Sequence, residues 1–319
     1  MPTIIAELCQ NHNGAESILR EMVFAAAESG ADYAKVQSML ADDLTRRDRF
    51  EEGLWEGDSQ VAIRRPYRPE YERLKPMDLD DEAHFRFVET CREAGIKPLT
   101  SVFSRSRVPF LASLGFDAIK VASYDCASLP LLRELKEHFS HLYISTGATH
   151  DEEIRAAAEC LGDYPFTFLH CVTIYPTPLD EMHLARLEYL RRLTPSVGFS
   201  DHSLVARDGI KASAVALHFG ADVVERHFTV LKPGETKDGP VSIDPSQLAE
   251  LVRVARMTTE ERSDWIAREV GDFSQMIGTA ERSLSPAELL NRDYYRGRFA
   301  SRVGDDIVYN WEDRPVVIP

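Results

Sequence analysis

Gly198-Phe-Ser-Asp-His202 and Glu225-Arg-His-Phe-Thr229 are the two stretches from which the fold of this 319-residue chain can be worked out. Each ends a short apolar run, and a helix-length segment, residues 204–220, separates them. Apolar runs joined by a helix are typical of parallel neighbouring strands, which would place His202 and His227 at the same end of a sheet. Two neutral imidazoles there form half of a site for Mn, Fe, Co or Zn, although a single strand-end histidine is more often structural.

The same alternation of apolar runs and amphipathic helices continues along the chain between Thr3 and Met257. It predicts eight strand–helix units, the number found in a (β/α)8 TIM barrel. An open doubly wound sheet is the alternative, but Gln10-Asn-His-Asn-Gly14 after the first strand is not a glycine-rich dinucleotide loop. The predicted strands are residues 3–7, 31–37, 97–103, 117–122, 141–145, 166–171, 197–200 and 222–225.

Charge and cysteine usage narrow the function classes. The formal net charge of −15 disfavours nonspecific binding to nucleic acid or to an anionic membrane. A basic region followed by a long apolar stretch is absent from the N-terminus, and no run of about 18 apolar residues occurs, so we expect neither a signal peptide nor a spanning helix. The five cysteines are scattered without a CxxC pair, which predicts reduced thiols in a cytoplasmic protein.

One predicted connection is much longer than the others. Residues 38–79 are rich in charge and carry Trp55, Tyr67 and Tyr71. Connections of this length in a compact domain are usually functional lids or disordered segments, and this one follows the catalytic end of a strand, so we predict a lid. The predicted organisation is a barrel domain over residues 1–275 and a short C-terminal extension over residues 276–319.

Polar residues at the carboxyl ends of the predicted strands fall into two chemistries. Lys35, Arg105, Lys120 and Gly147, with small hydroxyl residues, suit a phosphate and a carboxylate held by cations and backbone N–H groups. His202 and His227 suit a metal ion with open positions. A phosphate-bearing substrate beside a Lewis acid indicates carbon–carbon bond formation or phosphoryl chemistry. The other strand-end candidates include Glu7, Gln37, Ser101, Ser123, Ser145, Thr173, Tyr175, Ser200 and Glu225.

Seven motifs extend this interpretation. They are Ile5-Ala-Glu-Leu-Cys-Gln-Asn-His-Asn-Gly14, Lys35-Val-Gln37, Lys120-Val-Ala-Ser123, Ser145-Thr-Gly147, His170-Cys-Val-Thr-Ile-Tyr-Pro176, Phe199-Ser-Asp-His202 and Glu225-Arg-His-Phe-Thr229. In this order they resemble the sialic acid synthase family, whose members condense phosphoenolpyruvate with an N-acetylhexosamine or a related aldose to give a nonulosonic acid. The resemblance implies a TIM barrel, a divalent metal ion (often manganese) and a homodimer.

The resemblance also implies roles for individual residues. His202 and His227 would be the metal ligands, and the catalytic candidates are Glu7, Lys35, Lys120, Tyr175 and Asp238. Of these, Glu7, Tyr175 and Asp238 would face the acceptor sugar, and Glu7 would position or deprotonate water. The residues expected to bind substrate are Gln37, Ser101, Arg105, Ser123, Ser145, Gly147, Thr173 and Ser200.

The chain departs from the family pattern at Cys9 and Tyr124, where the family usually has glycine. Family members also carry an antifreeze-like domain after the barrel, and residues 291–298 resemble the approach to it, so we expect a truncated extension. Two interpretations therefore stay open: this chain uses a different acceptor from that of the family, or it has lost the activity. The alternatives are a Schiff-base aldolase or lyase that uses Lys120 or Lys35, and a non-catalytic relative that binds a sugar or phosphate ligand.

Overall fold

The computed structural model describes residues 1–316, which contain twelve strands and thirteen α-helices. The strands are β1 Thr3–Glu7, β2 Tyr33–Ser38, β3 Leu54–Glu56, β4 Ser59–Ala62, β5 Lys97–Val102, β6 Ala118–Val121, β7 His141–Ser145, β8 Phe166–His170, β9 Val197–Asp201, β10 Val223–His227, β11 Ser301–Val303 and β12 Asp306–Val308. The helices are α1 Glu16–Glu28, α2 Tyr67–Leu74, α3 Asp81–Ala94, α4 Val108–Ser113, α5 Leu129–Leu135, α6 Asp151–Leu161, α7 Arg186–Arg191, α8 Val205–Asp208, α9 Lys211–His218, α10 Pro245–Arg256, α11 Thr259–Glu269, α12 Ser274–Ile277 and α13 Pro286–Tyr295.

Eight of the strands close into a parallel barrel in the order β1-β10-β9-β8-β7-β6-β5-β2. This confirms the predicted TIM barrel, and each predicted strand is present with small differences at its ends. One difference concerns β10, which pairs with β1 as far as His227 and so includes the histidine that the prediction placed beyond the strand. No helix within residues 1–316 combines the length and the apolar character that crossing a membrane requires.

The interior of the barrel is filled by one side chain from each of seven strands. Because successive strand residues point to opposite faces, the neighbours of these side chains pack outward against the helices. In β1, Ile5 lies inside the barrel while Ile4 and Ala6 join the outer core. We call these seven residues the barrel floor: Ile5, Tyr33, Leu99, Ala118, Tyr143, Leu169 and Val223.

Two of the helices, α3 and α10, begin at residues whose side chains cap them. The Asp80 carboxylate accepts a hydrogen bond from the Ala83 N–H at the start of α3, and Gly95 ends that helix in a left-handed conformation. At α10, Asp244 and Gln247 form a capping box around Pro245. These caps fix where α3 begins and ends and where α10 begins.

Residues 38–79 and 286–316 pack against each other over the carboxyl ends of the strands, and we call this pair of segments the cover. Residues 44 and 299 form a β-bridge, and the Thr45 N–H donates to the Arg298 carbonyl at 2.9 Å. Arg47 donates to the carbonyl oxygens of Tyr294 (2.5 Å) and Arg296 (2.9 Å). The long connection is therefore an ordered layer that contains β3, β4 and α2, and the C-terminal segment holds it in place.

Candidate functional site

A cavity of about 420 Å³ lies at the carboxyl ends of the barrel strands, beneath the cover. Its position follows from the alternation of side chains, because the residue two positions after each floor residue again points inward, one layer nearer the mouth. These residues are Glu7, Lys35, Ser101, Lys120, Ser145, Cys171 and Glu225, and all seven line the cavity. The cavity brings together twelve of the fifteen predicted site residues: Glu7, Lys35, Gln37, Ser101, Lys120, Ser123, Ser145, Tyr175, Ser200, His202, His227 and Asp238.

Two lysines and two carboxylates occupy the bottom of the cavity. Lys35 forms an ion pair with Glu7, and its Nζ lies 3.7 Å from the Glu225 carboxylate. The Lys120 Nζ lies 4.0 Å from Glu225 and donates to the Ser145 hydroxyl at 2.6 Å. All four residues are at most 5% exposed, so their charges interact in a medium that water screens weakly.

Burial and these neighbours shift the pKa of each group differently. Burial acts to lower the pKa of Lys35, but the carboxylates of Glu225 and Glu7 outweigh it and raise that pKa. Burial lowers the pKa of Lys120, and Glu225 offsets this only in part. Burial raises the pKa of Glu7 despite Lys35, whereas the charges of Lys120 and Lys35 overcome burial and lower the pKa of Glu225. From sequence, Glu225 is a strand-end candidate without a role, although its position two residues after Val223 marks it as inward-facing.

His202 and His227 stand side by side on one wall, with ring centroids 5.3 Å apart. The Nδ1 atom of each ring is buried and has no hydrogen-bond partner within residues 1–316. The Nε2 atom of His202 lies 3.1 Å from the Tyr175 hydroxyl. Buried polar atoms in proteins almost always have partners, so two orphaned imidazole nitrogens are consistent with a metal ion bound at this wall.

A buried ion pair behind this wall joins the two strands that carry the histidines. The Asp201 carboxylate contacts the Arg226 guanidinium at 2.6 Å, and both side chains are fully buried. Asp201 also accepts from the Ser203 N–H (2.8 Å) and the Ser213 hydroxyl (2.6 Å), and Arg226 donates to the Ser203 carbonyl. Each member of the pair directly precedes a histidine, so the pair fixes how the ends of β9 and β10 meet.

A third donor group lies beside His227. The Cys9 thiol donates to the Asp238 carboxylate at 3.0 Å, and donor atoms of Cys9, His227 and Asp238 all lie within 4.8 Å of one another. The sequence placed Asp238 at the acceptor end of the site and noted Cys9 only as a departure from the family pattern. Their contact spans 229 positions of sequence and could not be read from any local pattern.

The mouth of the cavity carries a group of cations that the sequence analysis missed. Arg73 makes two hydrogen bonds to the Glu70 carboxylate (2.9 and 3.0 Å), and Arg298 forms an ion pair with the same carboxylate. Burial opposes ionisation of Glu70, but these arginines lower its pKa to about 2. Burial and the charge of Arg73 lower the pKa of Lys237. With Arg65, four cations line a mouth in a protein whose net charge is −15.

The structure places three predicted substrate-binding residues outside the cavity lining. One of them is Arg105: its guanidinium donates to the Glu134 carboxylate (2.7 Å) and to the carbonyls of Glu312 (3.0 Å) and Arg314 (2.8 Å), so it holds the C-terminal segment. Arg105 follows a strand as predicted, but a 3-10 turn directs it away from the barrel axis.

Gly147 and Thr173 lie next to residues that line the cavity. The Gly147 N–H donates to the Ser123 hydroxyl at 3.1 Å, and an added Cβ there would lie 2.6 Å from the Cys171 sulfur. The same Cβ would lie 2.8 Å from the Thr173 Cγ2 atom, so Gly147 and Thr173 pack closely against each other beside the cavity wall. The ring of Tyr124, a departure from the family pattern, stacks on Tyr295 of the cover with centroids 4.7 Å apart.

Comparison with known proteins gives a consistent set of relatives. A model of the NeuB family matches residues 22–266. The N,N'-diacetyllegionaminic acid synthase of Legionella pneumophila is 31% identical over 90% of this chain and 76% of its own length. Among solved structures, spore coat polysaccharide biosynthesis protein SpsE of Bacillus subtilis has a TM-score of 0.74 at 26% identity, covering 92% of this chain and 77% of that one. The N-acetylneuraminic acid synthetase of Leptospira borgpetersenii has a TM-score of 0.69 at 25% identity, covering 85% and 87%.

Proposed function

The chain is an enzyme that belongs to the NeuB family, and on that premise we propose that it condenses phosphoenolpyruvate with an aldose to give a 3-deoxy-2-ulosonic acid and phosphate. The observation that carries the proposal is the lining of the cavity, where Lys35 and Lys120 face the same space as His202 and His227. The acceptor would be N-acetylmannosamine or a related sugar. A homodimer and a cytoplasmic location, which the family resemblance and the cysteine pattern imply, stay predictions.

The bottom of the cavity is suited to phosphoenolpyruvate. Its phosphate and carboxylate would face Lys35 and Lys120, whose ammonium groups are already desolvated by the fold and therefore attract an anion more strongly than they would in water. Hydroxyl groups that line the same space would complete the set of donors; they belong to Ser101, Ser123, Ser145 and Ser200.

We further propose that His202 and His227 hold a divalent metal ion, for which the family resemblance implies manganese. The unpartnered, buried Nδ1 atoms of the two rings support this assignment. When bound, such an ion supplies Lewis acidity to the carbonyl oxygen of the acceptor. Tyr175 is half exposed at the cavity wall and contacts His202, so it would orient that imidazole and meet the acceptor at the same time.

The remaining chemistry falls to groups of the chain itself. C3 of phosphoenolpyruvate attacks the aldehyde carbon, C2 becomes electron-deficient and takes up water, and the resulting tetrahedral carbon expels phosphate by C–O cleavage. Glu7 is the group proposed to position and deprotonate that water, because Lys35 and the Gln37 amide (3.2 Å) hold its carboxylate in one orientation. Lys35 and Lys120 would stabilise the negative charge of the departing phosphate.

Phosphate release tests the proposal directly. With phosphoenolpyruvate, manganese and a panel of aldoses that includes N-acetylmannosamine, we expect release that depends on one aldose. EDTA should abolish it, and His202→Ala should lower the rate by about 10²-fold or more, because a metal ligand is lost. Circular dichroism of the variant would establish that it remains folded.

The Schiff-base alternative has one observation in its favour, since a lysine whose pKa is lowered by burial is a better nucleophile, and Lys120 is such a lysine. Borohydride treatment in the presence of a keto acid separates the two. Covalent trapping on Lys120, with EDTA-insensitive turnover, would replace the condensation by an aldolase reaction. Binding of phosphoenolpyruvate without release for any aldose would instead support a non-catalytic role.

The cationic mouth is proposed to bind the acceptor. Arg298→Ala should raise the KM for the aldose by about tenfold, the loss of one charge-assisted hydrogen bond, and leave the KM for phosphoenolpyruvate unchanged. Arg314→Ala, which removes only an exposed contact with Asp306, is the control. Steady-state phosphate release with each substrate varied in turn measures both constants. A rise in the KM for phosphoenolpyruvate alone would contradict this placement of the acceptor.

A further inference from the structure

The environment of Cys9 differs from that of an ordinary buried cysteine. Cys91 and Cys126 belong to the apolar core between strands and helices, whereas Cys9 lines the cavity and its sulfur faces a carboxylate and an imidazole. The three residues come from separate parts of the fold: Cys9 follows β1, His227 ends β10, and Asp238 lies in the loop before α10. The fold thus gathers a sulfur, a nitrogen and an oxygen donor at one point.

The backbone at Cys9 adds a second observation. Its φ is +48°, in the left-handed region where a glycine is unstrained and a residue with a Cβ is not. The chain therefore keeps a side chain where the backbone conformation favours having none. The side chain is 5% exposed and its sulfur meets polar groups, so apolar packing does not account for the choice. A role of the sulfur as a ligand would account for a cysteine at this position.

The third observation concerns the partners. His227 is 7% exposed, and its Nδ1 atom has no hydrogen-bond partner within residues 1–316. The carboxylate of Asp238 accepts a hydrogen bond from the Cys9 thiol. This contact is expected of two metal ligands in the absence of the ion, because the thiol proton then lies between them where the cation would bind. His202 stands next to His227, with ring centroids 5.3 Å apart.

We propose that Cys9, as a thiolate, binds the divalent metal ion together with His227 and Asp238. This inference adds ligands to the metal site of the proposed function. It rests on the proposed function because it requires that a metal ion binds there, but it does not require the proposed reaction. Binding forms a metal–sulfur bond, and the thiol proton passes to solvent. The three donors are one sulfur, one nitrogen and one oxygen, a set that favours Zn²⁺ or Co²⁺ over Mn²⁺, because thiolate is a soft ligand.

Cobalt is the probe, because a thiolate bound to Co²⁺ produces a near-ultraviolet charge-transfer band that oxygen and nitrogen ligands do not. Titration of the metal-free protein with Co²⁺ should give this band, saturating at one ion per chain. Cys9→Ser and Cys9→Gly should remove it and weaken cobalt binding by at least about 10- to 100-fold, the effect of losing even an outer-shell partner. Glycine fits the backbone at this position, so that variant should fold.

Cys171→Ser is the matched control, because Cys171 lines the same cavity but its sulfur contacts the Ser123 hydroxyl. It should keep the band. Asp238→Asn should keep the band but bind cobalt more weakly, and Zn²⁺ should displace cobalt at lower concentration than Mn²⁺ does. Cobalt binding without the band, a band that survives in Cys9→Gly, or no cobalt binding would each overturn the inference. A cobalt–thiolate band without phosphate release would leave this inference standing and count against the proposed reaction alone.

Discussion

Replacement of Glu7 by Gln is expected to lower kcat for phosphate release by about 10²- to 10⁴-fold, the range for loss of a general base. Gln has nearly the same shape as Glu, so the packing around position 7 should persist. It cannot accept a proton from water, however, and it leaves the Lys35 ammonium without its closest carboxylate. Steady-state kinetics with the preferred aldose measures the effect, and thermal unfolding reports whether the buried site still folds.

The control is Glu250→Gln, on the exposed face of α10, which should leave kcat unchanged. Glu225→Gln distinguishes two assignments of the base, because Glu225 also contacts Lys35 and accepts from the Ser200 hydroxyl at 2.9 Å. Full activity in Glu7→Gln together with loss in Glu225→Gln would move the proton transfer to Glu225. Loss of phosphoenolpyruvate binding in both variants would mean that the two carboxylates act by balancing the charges of the lysines, and that neither is the base.

The bottom of the cavity could be predicted because strand periodicity fixes it. In each of the seven strands that contribute to the barrel floor, the floor residue is followed two positions later by a residue that lines the cavity. Ile5 and Glu7 are one such pair, and Tyr33 and Lys35 are another. Once the strands are placed, their carboxyl ends must converge. The same rule would have assigned Glu225, which follows Val223, and Cys171, which follows Leu169.

The mouth could not be predicted in this way, because loops have no comparable periodicity. Arg73 and Arg298 are 225 positions apart and meet only through Glu70, once residues 38–79 pack against the C-terminal segment. Arg105 shows how a turn directly after a strand limits the same rule. It follows β5, as a cavity residue would, but a single 3-10 turn carries it to Glu134 and the C-terminal carbonyls.

The two segments of the cover explain each other. The connection over residues 38–79 contributes Arg65 and Arg73 to the cavity, and the C-terminal segment contributes Tyr295 and Arg298. Because Arg47 and Thr45 bind carbonyl groups of the C-terminal segment, a change in either segment should alter both sides of the mouth. Under the proposed function, we therefore expect acceptor choice to depend on the cover and binding of phosphoenolpyruvate to depend on the barrel.

Arg226→Met is expected to lower the free energy of unfolding by about 3–5 kcal/mol, because it leaves the Asp201 carboxylate buried without its cation. The side chains of both residues are 0% exposed, so water cannot replace the lost partner. Arg207→Met is the control. Arg207 also contacts an aspartate, Asp208, but the Arg207 side chain is 57% exposed, so we expect the free energy of unfolding to fall by about 1 kcal/mol or less. Urea unfolding of the two variants measures the difference.

A second substitution separates the buried charge from the lost packing. Adding Asp201→Asn to Arg226→Met removes the uncompensated carboxylate and should recover part of the stability. The amide oxygen can still accept from the Ser203 N–H, and the amide NH2 can donate to the Ser213 hydroxyl oxygen. No recovery would mean that the guanidinium acts mainly through its hydrogen bond to the Ser203 carbonyl. Because this pair aligns the strand ends that carry His202 and His227, the double variant should still bind cobalt more weakly than the native chain even where its stability is restored.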